Sequence, residues 1–396
     1  MDRAMDRVMD RARRLSPLER ARALASAIAD AANEIETAQS IPEPLLTEIF
    51  AAGLFRLFLP KSIGGEETHP VAYLDAVIEV SRHDASVGWN MFVANSATLL
   101  APFLPLETAR TIYSDPRAVI AWGPPNGSTI KAVPGGYRVT GEWDFASGSR
   151  QATWVGVHAH VEEPDGSLRL NAAGRPLVRS VIFPAADAQF LDRWNPIGLK
   201  GTASDSYRVK DVFVPEAFSG TREQPELRRD HGPLYAFIMQ GLYAVGVVGV
   251  ALGIARTMLA SFRELASAKT PRGRGRLADD SLTQADFARA EAKLGAAYAY
   301  AAATLSDVYD RADDIAPISF EDRAMVRLVC SAGIQASVEV ADWVHRAAGV
   351  SAIFPGSPFE RRFRDIHTLS QQIQARSAHF EAIGQILLGE PPEVFF

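Results

Sequence analysis

The chain has one cysteine, Cys330, in 396 residues. A single thiol builds neither an internal disulfide nor a cysteine-based zinc site, so disulfide scaffolds and zinc ribbons are excluded and a reducing, cytoplasmic setting is expected. Surplus base is lacking too. Lys and Arg number 41 against 47 Asp and Glu, a formal net charge of −6, which lacks the positive footprint of a nucleic-acid binder. No Gly-x-Gly-x-x-Gly follows a strand pattern and no Gly-x-x-x-x-Gly-Lys-Ser/Thr is present, which removes a Rossmann domain and a P-loop. No Gly-x-Ser-x-Gly elbow supports a Ser-His-Asp hydrolase. The first ten residues repeat Met-Asp-Arg without the apolar stretch of a secretory signal, and read as one charged helix.

One long apolar run is present. Residues 234–255 carry Gln240 as their only strongly polar side chain and are long enough to span a bilayer. Gly241, Gly246, Gly249 and Gly253 would let neighbouring helices come close, and the helical pattern continues into an amphipathic stretch to 269 without an aromatic belt. The run therefore reads as a buried bundle helix, and no membrane partner is expected.

The rest of the chain changes grammar twice. Residues 1–117 show apolar spacings of three and four through 18–35, 45–54 and 71–80, and form an N-terminal helical domain. Residues 118–222 alternate β-branched and polar residues, with Pro134-Gly135-Gly136 and Pro164-Asp165-Gly166 as hairpin turns. Helical patterns return in 223–396, through 234–269, 280–311, 320–348 and 364–388. The expected fold class is mainly α with an inserted antiparallel β domain. His158 and His160 share one face of a strand, but no third ligand has a plausible spacing, so no metal site is expected.

Three stretches carry specific strings. The first is Ala-Gly-Leu-Phe-Arg-Leu-Phe-Leu-Pro-Lys-Ser-Ile-Gly-Gly-Glu at 52–66. The middle holds Gly-Glu-Trp-Asp-Phe-Ala-Ser-Gly at 141–148, Trp154, Gly-Leu-Lys-Gly-Thr-Ala-Ser-Asp-Ser at 198–206 and Val-Phe-Val-Pro at 212–215. The last holds Ala348-Gly349 and Ser-Pro-Phe-Glu-Arg-Arg-Phe-Arg-Asp at 357–365. In this order they resemble the acyl-CoA dehydrogenase fold family. The resemblance implies an N-terminal helical domain, a β-barrel or sandwich domain and a C-terminal four-helix bundle. It also implies a flavin between the β domain and the C-terminal helices, in a homotetramer whose neighbouring subunit completes each site.

An isoalloxazine ring needs a flat apolar wall and partners for its polar edge. Phe145, with Trp143 or Trp122, can supply the wall, and Ser147, with a backbone N–H nearby, can face N5. By resemblance Ser149 and Gly349 belong to the flavin site, and Arg272 would meet the flavin phosphate or ring edge. The plainer reading makes Phe145 and Trp154 strand core, Ser147 a turn residue and the Arg272 loop a solvated surface.

Within the family the chain is similar to the two-component (group D) monooxygenases. Ser147-Gly148-Ser149, the 201–206 loop and Lys-Thr-Pro-Arg at 269–272 carry that likeness. It implies FMNH2, or FADH2, delivered by a separate flavin reductase, and O2 activated as a flavin C4a-hydroperoxide to oxygenate a small organic substrate. An acyl-CoA dehydrogenase needs a carboxylate base. None occurs in 366–380 or 231–262, where the family places it. Phenol-hydroxylating relatives carry two His residues at positions that here fall on Ser96 and Gln372. His367 lies one turn before Gln372 and is a candidate for the cavity. Asn95, Ser96 and Trp89 are expected on the substrate side, with Ser147, His367, Ser96 and Gln372 as catalytic candidates. A substrate needing no deprotonation suits this set: an amine, a sulfide or an electron-rich ring. The alternatives are a dehydrogenase or oxidase holding FAD permanently, and a degenerate member that binds a ligand without turnover.

Overall fold

The computed structural model describes residues 14–222 and 224–392, so the Met-Asp-Arg repeat lies outside the described residues. Six helices come first: α1 (Pro17–Ala23), α2 (Ala25–Ala38), α3 (Glu43–Ala51), α4 (Pro70–His83), α5 (Ala85–Thr98) and α6 (Leu106–Tyr113). Local chemistry starts two of them. Ser16 and Glu19 form a reciprocal capping box on α1, and the Asp84 carboxylate accepts the Val87 N–H at 3.0 Å to cap α5. Every residue of α5 is buried, so this helix has no wet face and its sequence shows no amphipathic stripe.

Eight strands follow: β1 (Ile120–Trp122), β2 (Thr129–Val133), β3 (Gly136–Ala146), β4 (Trp154–Glu162), β5 (Val178–Pro184), β6 (Gln189–Phe190), β7 (Asp205–Pro215) and β8 (Ser219–Gly220). They form one sheet in the order β6-β7-β3-β2-β4-β5-β8, with β1 on β4. The sheet is mostly antiparallel, as expected, although β4 runs parallel to both β1 and β2. Pro134-Gly135 makes the β2–β3 turn, with Gly135 at φ +80° where a side chain would strain the backbone. Pro164-Asp165-Gly166 also turns, but into a short excursion bridged at Glu162 and Leu168 rather than into β5.

The C-terminal third comprises α7 (Pro233–Ala236), α8 (Met239–Ala268), α9 (Ser281–Arg311), α10 (Phe320–Ala348), α11 (Glu360–Leu369) and α12 (Ala378–Leu387). The single helix expected over 364–388 is broken. Gln372 takes an extended backbone and its side chain accepts the Gln374 N–H at 2.6 Å, which competes with helix continuation. The fourth member of the bundle is thus two short helices packed on α8 and α10.

The long apolar run is the central strut, α8. A Cβ at Gly246 would fall 2.5 Å from Phe92 of α5, and at Gly249 and Gly253 it would fall 2.8 and 2.6 Å from Val77 and Ser81 of α4. Missing side chains let both N-terminal helices lie on α8, and 83% of its most apolar window is buried inside the protein.

The sheet is tied to both helical blocks by the segment between β6 and β7. Gly198 lies against the backbone of Arg364 in α11, and Gly201 against Ile35 in α2. Asp365 accepts the Leu199 N–H at 2.6 Å, while the Asn90 amide of α5 donates to the Gly201 carbonyl at 3.1 Å. Leu199 and Ala203 adopt φ of +53° and +45°, so the wedge is held in a strained backbone.

Candidate active site

Strand β3 ends in an unusual local shape. Phe145 has φ +62° and is 63% exposed, with its ring edge-on to Trp194 at 6.4 Å. Exposing a phenylalanine on a left-handed backbone costs on both counts, which suits a residue shaped for a flat apolar partner. Two residues on, the Ser147 hydroxyl is buried. Its Oγ accepts the Trp89 indole N–H at 3.0 Å and lies 2.7 Å from Ser204 Oγ, itself 2.7 Å from Thr202 Oγ1. Thr202 donates to the Leu199 carbonyl at 2.9 Å.

The directions in this relay follow from counting hydrogens. Each hydroxyl has one to give. Thr202 gives its own to Leu199, so Ser204 must donate to Thr202 and Ser147 to Ser204. Ser147 is left with a lone pair and nothing further to donate. The expected backbone N–H beside it needs a correction, since the N–H groups of Ser147, Gly148 and Ser149 are committed to the carbonyls of Phe145, Thr202 and Ala203.

From Ser147 a line of aromatic rings runs inward. Trp89 meets Phe92 edge-to-face at 4.7 Å, Phe92 meets Tyr243 at 4.9 Å, Tyr243 meets Trp122 at 5.9 Å and Trp122 meets His158 at 4.7 Å. Burial drives the pKa of the Tyr243 phenol upward, and the nearby Gln372 side chain offsets part of that rise. Elements from all three thirds of the chain meet here, and none of these side chains is a carboxylate. Trp89, Ser147, Trp122 and Gln372 are brought together. Tyr243, Trp194 and His158 were not singled out for this role. Tyr243 carried a signal, as a polar-tipped aromatic in an apolar helix, whereas the convergence of His158 with Trp122 left no trace in the local sequence.

Other expected residues do different work. Asn95 is fully buried and saturated by backbone: it accepts from the N–H groups of Leu57 and Phe58 at 2.6 and 3.3 Å and donates to the carbonyls of Leu54 and Met91, both at 2.8 Å. No valence remains for a substrate. Ser96 donates to the Phe92 carbonyl one turn back at 2.9 Å. Ser149 donates to the Ala203 carbonyl at 2.7 Å and so holds the wedge rather than a ligand. Trp143 is stacked on Tyr207 at 5.7 Å inside the core of the sheet, leaving the wall to Phe145. His367 is pinned to Asp342 of α10 at 2.9 Å and lies edge-on to Phe363, which engages its ring with the bundle.

Gly349 lies beside Lys269, three residues before Arg272. Lys269 donates to the Ala348 carbonyl at 2.7 Å, which brings the loop after α8 beside the end of α10. Tyr243 and Lys269 stand at opposite ends of α8, about 39 Å apart at 1.5 Å per residue.

A wide cleft of about 1170 Å³ lies elsewhere, between α2, the α4–α5 corner and the start of α11. Its charges are engaged: Glu36 pairs with Arg361 at 2.7 Å and with Arg364 at 2.6 Å. It is a seam between domains and contains neither Ser147 nor Trp122.

Known proteins share this fold. Residues 18–104 match the family model for the N-terminal domain of acyl-CoA dehydrogenases, and residues 245–376 that for the C-terminal domain. The chain is 30% identical to the indole-3-acetate monooxygenase of Pseudomonas putida, over 91% of this chain and 90% of that one. It is 26% identical to the oxygenase component of the FADH(2)-dependent resorcinol hydroxylase of a Rhizobium species, over 91% of each. It superimposes on TdsC of Paenibacillus, solved with FMN and indole, at a TM-score of 0.78 and 20% identity, covering 96% of this chain and 99% of that one. The chain belongs to the acyl-CoA dehydrogenase family, in its branch of two-component flavin-dependent monooxygenases.

Proposed function

We propose that Ser147, Phe145 and Trp194 hold a reduced flavin, FMNH2 first and FADH2 as the alternative, supplied by a separate reductase in the cytoplasm. One observation carries this reading: the hydroxyl relay leaves Ser147 able only to accept. Reduced flavin bears an N–H at N5 and matches that lone pair; oxidised flavin presents an acceptor there and does not. Bound reduced flavin supplies the two electrons that let O2 give one oxygen atom to the substrate and release the other as water. Phe145 and Trp194 wall the ring, and Trp89 and Phe92 exclude water that would divert the chemistry toward peroxide.

The substrate face is the Trp122, Tyr243 and Gln372 cluster. It offers aromatic contact and an amide in place of an acid or base, which suits an electron-rich ring that needs no deprotonation. Indole-like rings fit this description. In a homotetramer, as the resemblance implies, Arg272 and Gly349 of one subunit would meet the flavin of another.

Anaerobic titration of the protein with FMN, FMNH2, FAD and FADH2 tests the reading, followed by mixing with O2 and indole. Reduced flavin should bind more tightly than oxidised flavin, and oxygenated indole should form only from the reduced complex. Equal affinity for both redox states, or a tightly held oxidised FAD reduced by substrate alone, would overturn it.

A further inference from the structure

The Ser147 relay and the Trp194 indole, one polar and one aromatic, meet at a single peptide group. The Leu199 carbonyl accepts the Thr202 hydroxyl at 2.9 Å, and this is the bond that ends the relay and leaves Ser147 with only a lone pair. It also accepts the Trp194 indole N–H at 3.3 Å, a hydrogen shared with the Lys200 carbonyl at 3.1 Å. One carbonyl thus orders both a hydroxyl chain and a ring. Its direction depends on the backbone that carries it, and Leu199 sits at φ +53°, where a leucine stays only if its surroundings hold it.

What holds it comes from the C-terminal bundle. The Leu199 N–H donates to Asp365 of α11 at 2.6 Å, and Asp365 is buried. One residue earlier, Gly198 lies so close to α11 that a Cβ there would fall 2.3 Å from the Arg364 backbone. The loop is therefore seated on α11 at two successive residues, and the carboxyl oxygen supplies the directional contact. Leu199 is itself buried, so water does not replace that oxygen and losing it leaves an N–H unpaired.

We infer that Asp365 is a positioning residue for the flavin site: through the Leu199 peptide it fixes the relay that makes Ser147 an acceptor and the indole that walls the ring. It acts through Leu199 rather than on the flavin. The inference rests on the flavin reading and adds a point of control in another domain.

Paired anaerobic titrations with FMNH2 and FMN give an affinity ratio for each variant. Asp365→Ala should lower that ratio about fivefold by releasing Ser147 to donate, and should weaken both flavins as the Trp194 wall loosens. Asp365→Asn still offers an oxygen to Leu199 and should keep the wild-type ratio. Adding Ser204→Ala to Asp365→Ala should lower the ratio no further, because both changes break one relay. Arg361→Gln cuts the pair between α11 and Glu36 of α2 but leaves Leu199 held, so it should cost stability without moving the ratio. Asp365→Glu displaces the carboxylate by one methylene and carries the test, with a fall in the ratio, if Asp365→Ala does not fold. An alanine variant with the wild-type ratio, an asparagine variant that behaves like alanine, a further fall in the double variant, or an equal fall in Arg361→Gln overturns the inference. A wild-type ratio of one is a separate failure, which removes the flavin reading and the inference with it.

Discussion

At Ser147 the direction of the hydrogen bonds matters more than their lengths. Removing the acceptor that holds its hydrogen, by Ser204→Ala, frees Ser147 to donate. The preference for FMNH2 over FMN should then shrink by about fivefold, the worth of one net hydrogen bond near 1 kcal/mol, as read by paired titrations. An unchanged ratio would sink the relay. Asn95 makes the opposite case. Asn95→Ala strips four backbone groups of their partner and should cost about 2–4 kcal/mol in urea denaturation, with the FMNH2-to-FMN ratio untouched. A variant of normal stability with weakened substrate binding would return Asn95 to the substrate side. The sequence misplaced Asn95 and Ser96 because spacing reveals which way a helix faces only when one side is wet, and α5 is buried all round. Phe145 and Ser147 lie in one contiguous string, so their proximity was visible in the sequence. His158 and Tyr243 come from β4 and α8, and their convergence on Trp122 is a property of the packed chain.

Among the elements, the wedge between β6 and β7 carries the mechanical load. Gly198→Ala would place a Cβ 2.3 Å from the Arg364 backbone, which cannot swing aside as a side chain can. The expected cost is about 1–3 kcal/mol by thermal or urea unfolding. Gly275→Ala, with nothing within 4 Å, should stay within about 0.5 kcal/mol. Similar costs at both positions would show that the wedge is looser than its geometry. The same segment responds to pH. Burial lifts Asp365, which holds the Leu199 N–H, from 3.8 to about 7, and lifts Asp84 to about 6. A raised carboxyl keeps its proton longer in the folded state, so its stabilising contribution is complete below about pH 4 and is lost as pH climbs through 6 to 7. Asp365→Asn keeps an acceptor for Leu199 and should flatten the stability profile across that window. An equally steep profile in the variant would remove Asp365 as its source. The sequence made the order of helical and strand blocks visible, since each rests on local periodicity. The parallel pairing of β4 and the break at Gln372 depended on long-range register and on a side chain competing with its own backbone.

For the molecule as a whole, the length of α8 sets the terms. Tyr243 and Lys269 lie about 39 Å apart along it, so under the proposed reading a flavin near the Tyr243 end should meet the loop that carries Arg272 only from a second subunit. Oligomers mixed from equal amounts of Ser147→Ala and Arg272→Ala subunits should regain full flavin affinity in roughly one site in four, detectable as a tight phase absent from either parent. Absence of that phase after verified subunit exchange would mean that Arg272 serves no flavin. The resemblance supplied the expectation of shared sites, while the distance along one helix supplies a physical reason for it. The left-handed backbone at Phe145 has a further consequence for anyone breeding this enzyme for heat resistance. Glycine would relax that bend by about 1 kcal/mol while sacrificing little shielded surface, because most of the ring already faces solvent. Laboratory selection on ruggedness alone would therefore drift toward erasing the aromatic surface that we propose carries the flavin, and turnover must be screened in the same round to keep it.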